Sequence, residues 1–387
     1  MRRTSIIILL MLAVTLAASA QQRRGKAPVR KPTAASAAST AAPKAGTPAN
    51  ICIVGFNDIS LEKPLAEGPD ALYFINQLGR SVLSVDKQTG TISQYIPGSR
   101  EKMITAIGHD GKDLYLMVTN IGLVRYDGQS RDTSPCLYPT SDYGKGLIGH
   151  QQAFTGITFS PNKRWLVAYG KGAILFDMDG GQCKFVREYS SNGIRNAFVF
   201  DDGAMIAVTG DEIVAMPTTA QPHIKPYHEA EGGAKYYKLK DDIKGTAIKD
   251  GYLYGCWGRV IARTALPWQE ANWEQLYQLD SEDNRFRNFV LGDHRMFAEC
   301  EEFGQYYVEW PAADFSAAPK VTDKITTTVK NPITNGPQTI QRNSDLLHFD
   351  QQGNLVMYNM DHLDIYNPDG IKGYPSLQNK RTRHKGE

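Results

Sequence analysis

The first 50 residues contain no acidic side chain, although they carry eight basic ones. The rest of the 387-residue chain therefore holds 35 Lys and Arg against 41 Asp and Glu, and the overall charge of +2 averages two unlike parts. A chain that is acidic over most of its length lacks the basic footprint of a nucleic-acid binder, which excludes that class. Cysteine is scarce: Cys52, Cys136, Cys183, Cys256 and Cys300 show no C-x-x-C and no zinc-type spacing. After residue 16 no apolar run is long enough to cross a membrane. Also missing are a Ser elbow, a phosphate-cradling Gly loop, a metalloprotease helix signature and an alternating Asp/Asn calcium loop. Asp177-Met178-Asp179-Gly180 is the nearest fragment to the last and reads as a turn. These absences leave no implied metal and no implied cofactor. There is no Asn-x-Ser/Thr sequon, which fits a bacterial source.

What is present begins with a leader. Met1-Arg2-Arg3-Thr4 gives a positive start, Ile6 to Leu16 is apolar except for Thr15, and Ala18-Ser19-Ala20 is a small-residue cleavage pattern. Residues 1–20 read as a secretory signal peptide, so the mature protein is expected to be exported: periplasmic, cell-surface or extracellular. No Cys follows at lipoprotein distance. Residues 21–50 are Ala, Pro, Ser, Thr and basic residues, too poor in apolar bulk to offset chain entropy, and read as a disordered tether. Residues 23–31, with Arg23, Arg24, Lys26, Arg30 and Lys31, suit electrostatic contact with an anionic surface, although a solvated spacer explains them more simply. Residues 380–387 form a second basic end.

Between these ends, short apolar runs stop at Gly, Asp, Asn or Pro, the pattern of an all-β chain. One unit recurs, as in Ile104-Thr105-Ala106-Ile107, His109-Asp110-Gly111, Leu114-Tyr115-Leu116-Met117-Val118 and Leu123-Val124-Arg125-Tyr126. The turn positions Asp70, Gly111, Asn162, Gly203, Gly251, Asp293 and Gly353 mark seven copies, spaced 41, 51, 41, 48, 42 and 60 residues apart. That period belongs to a four-stranded propeller blade of roughly 40–50 residues. Residues 51–379 are therefore expected to form a β-propeller of seven four-stranded blades. Ile51 to Phe56, isolated before the first copy, is expected to pair within the last blade, because an open ring exposes an unpaired edge.

The repeats resemble those of bacterial β-propeller proteins of the YncE, quinoprotein-like and two-component-regulator kinds, with WD40/YVTN-like units. The resemblance lies in the "D-G-x-x-L-Y" of Asp110 to Tyr115, the "G-L-x-x-Y-D" of Gly122 to Asp127 and the "F-D-x-x-G-N-L" of Phe349 to Leu355. It implies an architecture; none of these motifs is a catalytic signature.

Candidate sites follow from the repeat. Arg195-Asn196 and Arg287-Asn288 occupy corresponding places just before the inner strands of blades four and six, with Lys244 near the same place in blade five. Inner strands begin around one mouth of the central channel, so these side chains are expected to converge there. Such a cluster suits a carboxylate, a phosphate or an acidic peptide, unless the two Arg residues simply bridge neighbouring blades through carboxylates. Other groups point less clearly. The segment 223–231, with His223, His228, Glu229 and Glu231, matches no metal template, and Glu299, Glu301 and Glu302 offer a carboxylate pair only if they converge. Trp257, Trp268, Trp273 and Trp310 are candidates for an exposed aromatic patch or for core packing. Cys136 and Cys183 fall at equivalent outer-strand positions, where radial splay is expected to keep them apart, and no obligatory disulfide is expected. The function that fits best is a non-enzymatic propeller that binds a protein, peptide or glycan at a channel mouth or rim. The rival is a propeller enzyme, a lactonase, glycosidase, lyase or quinoprotein-like dehydrogenase, which needs carboxylates or His converging at one mouth.

Overall fold

The computed structural model describes residues 50–54, 65–76, 79–99, 101–128, 134–139, 154–190, 193–210, 212–216, 235–238, 242–266, 272–280, 282–293, 295–300, 306–311, 317–323, 326–330, 337–341, 346–359 and 362–382. The leader, the tether before Asn50, the segment 223–231, Trp268, Glu301, Glu302 and the last five residues lie outside them. Among the described residues the strands form seven four-stranded antiparallel sheets and one two-stranded hairpin. The sheets are the seven blades of a β-propeller.

All seven turn positions that mark the repeat fall between the first and second strands of their blades. The motifs are turn locks. Asp110 Oδ1 accepts the N–H groups of Lys112 and Asp113, both at 2.7 Å, and its Oδ2 accepts the Tyr115 hydroxyl at 3.1 Å. In blade seven Asp350 Oδ1 accepts the N–H groups of Gln352 and Asn354, and Asn354 Nδ2 donates to Asp350 Oδ2 at 2.8 Å. The second strands, such as Leu114–Val118, Met205–Val208 and Met296–Cys300, are buried along their whole length. Each sheet is covered on both faces by its neighbours, so these strands read as apolar runs without polar alternation.

Packing sheets radially brings their inner strands close together. A Cβ on Gly108 would stand 2.6 Å from the Ile157 side chain of the next blade, and one on Gly292 would stand 2.9 Å from Phe349. Neither distance is compatible with a side chain, so the inner strands approach this closely only at glycine. Successive blades are also joined through the backbone. Ile104 N–H donates to Gly79 O at 2.6 Å, Ile243 N–H to Gly210 O at 2.6 Å and Phe286 N–H to Gly258 O at 2.7 Å, and Ile194 N–H does the same to Gly170 O. Towards the rim, Tyr138 of blade two packs edge-on against Phe176 and parallel to Phe185 of blade three, filling the space that radial splay opens. Among the described residues Cys136, Cys183, Cys256 and Cys300 form no disulfide. Cys256 and Cys300 are buried as small apolar groups, whereas Cys136 is exposed. Burial, with Cys136 beside it, pushes the Cys183 thiol up to about 12.

The ring closes as the sequence suggests. Strand Asn50–Val54 pairs antiparallel with His362–Tyr366, in the register Ile51↔Ile365 and Ile53↔Leu363, and forms the outermost strand of blade seven. Ile51 and Ile53 enter a buried cluster with Leu72, Phe74 and Val85 of blade one and Val356 and Tyr358 of blade seven. A charged cluster fastens the same seam. Glu67 of blade one accepts Lys87 Nζ at 2.5 Å and the Gln351 N–H at 2.9 Å on one oxygen, and its other oxygen lies 2.7 Å from His348 Nε2 of blade seven. Lys87 and Glu67 side chains are only 6% and 8% exposed, so neither charge is left to water alone.

Two elements depart from the plain seven-fold pattern. Strands Thr326–Lys330 and Pro337–Gln341 make an extra hairpin between blades six and seven, which accounts for the 60-residue final spacing. Helix Pro375–Thr382 runs across the position where the basic tail was expected to begin. Its Leu377 packs onto the seam cluster, and Ser376 N–H donates to Gln88 O of blade one at 3.2 Å. Proline at its first position suits a helix start, since that N–H has no partner in the helix.

Deleting residues 51–57 is expected to remove the burial of Ile51 and Ile53, about 3–6 kcal/mol together, and to lower the melting temperature sharply. Deleting 21–49 is expected to leave it unchanged; equal melting temperatures for the two truncations would disprove the closure. Acid should act on both flanks of blade one. Burial pushes the Glu67 carboxyl up, but His348, the Gln351 N–H and Lys87 outweigh it and hold it below its ordinary 4.5. Burial pushes His109 below its ordinary 6.5, with Nδ1 accepting the Gly111 N–H at 2.9 Å. Both groups contribute stability above their unfolded values that is lost as pH falls. Denaturant melts across pH should show one loss beginning below about pH 6.5, removed in His109→Gln, and another beginning below about pH 4.5, removed in Glu67→Gln.

Candidate functional site

The inner strands carry a repeated irregularity at the mouth where they begin. In blades two, three, five and six the register slips by one residue, leaving Thr105, Thr155, Lys244 and Arg287 as the extra residue of a β-bulge. Arg195 holds the corresponding place in blade four: its N–H donates to Val208 O at 2.8 Å, while the next residue, Asn196, is paired with Val208. A bulge bends the strand and re-aims its extra side chain. Three successive blades thereby present Arg195, Lys244 and Arg287 at one level, with side chains 53%, 37% and 43% exposed.

The structure joins these residues in part. Arg195 Nη1 donates to Asp242 Oδ1 at 2.7 Å and to Ile243 O at 3.2 Å, and Lys244 Nζ reaches Asp242 Oδ2 at 3.0 Å. Asp242 thus holds a cation from blade four and one from blade five, one on each oxygen. Gly210, in the hairpin between the second and third strands of blade four, closes the third side. A Cβ there would stand 3.0 Å from Asp242 Oδ1 and 3.2 Å from Arg195 Nη2. Burial pushes the Asp242 carboxyl up, but Arg195 and Lys244 outweigh it and hold it below its ordinary 3.8, so it is ionised at neutral pH. Asn196 Nδ2 donates to Thr246 Oγ1 of blade five at 3.0 Å, and Asn288 Oδ1 lies against Gly245. Arg287 stands 3.7 Å from Glu299 of its own blade, a carboxylate that is 1% exposed.

Arg195 bridges neighbouring blades through a carboxylate, and Arg287 lies over a buried acid of its own blade. Asp242 was not singled out from the sequence; an Asp two residues before Lys244 was the available signal. Glu299 faces Arg287, and Glu301 and Glu302, with which it was expected to converge, lie outside the described residues. Among the described residues Trp257, Trp273 and Trp310 do not form one exposed patch. Trp310 is 1% exposed and packs edge-on against Tyr277, while Trp257 and Trp273 pack edge-on against each other, half-buried, 5.0 Å apart. Trp257 is paired with Ile243, which places it at the same mouth as Lys244. Among the described residues no group of three or more His, Cys, Asp or Glu is placed to hold a metal ion. Chemically, the mouth offers guanidinium and ammonium donors, amide groups and one indole, a set that recognises carboxylates and polar backbone.

No family model and no curated protein matches the chain. Among solved structures 1310 chains match, so the architecture is common and does not by itself choose a function. One is a chain in a crystal structure of a mitotic checkpoint complex, 13% identical, with a TM-score of 0.56, covering 89% of this chain and 98% of that one. At that identity the likeness is one of fold, a β-propeller. No helix among the described residues is long and apolar enough to cross a membrane.

The exposed pair at Arg195 contributes little to stability, so Arg195→Ala is expected to cost no more than about 1 kcal/mol in a urea melt. Arg287→Ala should cost more, because it takes a cation from a buried carboxylate.

Proposed function

We propose that this chain is an exported β-propeller that docks a protein partner, without catalysing a reaction on it, at the mouth bearing Arg195, Asn196, Lys244, Arg287 and Asn288. The observation that carries this reading is the run of exposed cations at the starts of the inner strands of three successive blades, on bulges in blades five and six, in a domain that is otherwise acidic. Arg195 and Lys244 are held by the half-exposed Asp242 carboxylate and not by the core, and Arg and half-buried Trp are residue types enriched where proteins meet. The propeller seen in a mitotic checkpoint complex belongs to a protein assembly, which agrees with docking as a use of this fold. Export is supported by the three-part leader, and the tether then gives the ring reach from a surface. An acid–base enzyme draws no support from Glu299, which is buried and held by Arg287. A peptide segment of the partner fits the mouth's donors better than a neutral glycan, because the donors are charged.

The test is affinity capture on the mature protein at several salt concentrations. A partner retained by wild type and lost by both Arg195→Ala and Arg287→Ala, with folding confirmed by melting, is expected. Equal capture by all three proteins would overturn the site. Cell fractionation with N-terminal sequencing should find the protein outside the cytoplasm beginning at Gln21; a cytoplasmic chain retaining Met1 would refute export.

A further inference from the structure

We propose that the Arg195–Gly210–Lys244 cradle is a carboxylate-binding site that Asp242 fills in the free protein, and that an acidic peptide segment of the partner takes Asp242's place. This rests on the reading of the mouth as a docking surface, and goes on to name the ligand chemistry and a built-in competitor.

Three elements converge on the Asp242 carboxylate. The start of blade four supplies Arg195, the start of blade five supplies Lys244, and the blade-four hairpin supplies a glycine at the point where a Cβ would crowd both the carboxylate and the guanidinium. The blade junction does not depend on this pair for its cohesion. The Ile243 N–H to Gly210 O bond and the Asn196–Thr246 bond already span it. The side chains of Arg195, Asp242 and Lys244 are 53%, 44% and 37% exposed, so the carboxylate is within reach of a competitor from solution. An ion pair that open to water adds little to stability, yet its geometry matches recognition of an incoming carboxylate, with one cation on each oxygen. Half-buried Trp257 is paired across the strand with Ile243, the residue after Asp242, at the same end of blade five. Asp242 therefore sets a threshold: it keeps the two cations oriented, and it makes a weakly acidic or isolated carboxylate a poor competitor.

The probe is fluorescein-labelled hexaglutamate, with hexaglycine as control, followed by fluorescence anisotropy on the full mature protein at low ionic strength. Asp242→Asn removes the competing charge at constant shape and should tighten hexaglutamate binding about tenfold. Asp242→Ser serves as a second variant should the first not fold. Adding Arg195→Gln to Asp242→Asn should abolish the gain, and hexaglycine should bind none of the proteins. Binding unchanged or weakened by both Asp242 variants, while Arg287→Gln still lowers the wild-type affinity, would overturn the role of Asp242 and leave the mouth as the docking surface. A gain that survives Arg195→Gln would place the anion elsewhere and overturn the cradle. Absence of hexaglutamate binding to every variant would overturn both readings.

Discussion

Ring closure is the constraint on which the other features depend. Seven twisted sheets arranged around an axis bury their faces only if the last one meets the first, and an unjoined seam would expose two apolar sheet faces and a row of unpaired backbone groups. This chain closes the circle by giving blade seven its outermost strand from the N-terminal end, Asn50–Val54. Chain ends far apart in sequence are thereby held in one sheet. The seam receives more than one strand. The Glu67, Lys87 and His348 cluster ties the inner edges of blades one and seven, and the segment from Ile371 to Leu377 covers the same apolar cluster from outside. Charge in such a place is tolerated because every partner is present; a buried carboxylate without Lys87 and His348 would cost more than the cluster contributes.

Convergence on the axis shapes the site. Inner strands have the least room, so glycines stand where neighbouring blades touch, and the strands open into bulges at the mouth where they begin. A bulge there turns a side chain away from the packed interface between blades. In blades two and three that side chain is threonine; in blades five and six it is a cation, and Arg195 holds the corresponding place in blade four. The repeat supplies a set of equivalent positions, and only their occupants differ from blade to blade. Function in such a fold belongs to the occupants and not to the scaffold. The same economy explains why Asp242 matters: it sits between two of these positions and answers both cations at once.

The turn positions were legible because they follow from local chemistry. Asp110 and Asp350 each satisfy backbone N–H groups within four residues, so their spacing could be counted from the sequence. The apolar second strands were legible for a similar reason, since burial on both faces leaves no alternation to obscure them. The Arg195-Asn196 and Arg287-Asn288 pairs stood out as repeats. Their partners did not, because Asp242 lies 47 residues from Arg195 and meets it only once two blades stand side by side. The same is true of Glu67 and His348, which are 281 residues apart in sequence and 2.7 Å apart in space. Helix Pro375–Thr382 was missed because its residues are polar; it is held by Leu377 and by backbone from blade one, not by an apolar stripe of its own.

The sequence by itself determined the all-β class, the number of repeats and the turn residues, because each depends on hydrogen bonds and periodicities within about 50 residues; the closing strand was legible as a lone strand before the first repeat that an open edge requires. It also separated a basic N-terminal part from an acidic ring. Tertiary structure alone decided which charges meet across blade junctions, which glycines give neighbouring strands room, and that Arg195 meets Asp242 of the next blade. Those outcomes depend on distances between residues that the chain places far apart, and such distances exist only once the ring is closed.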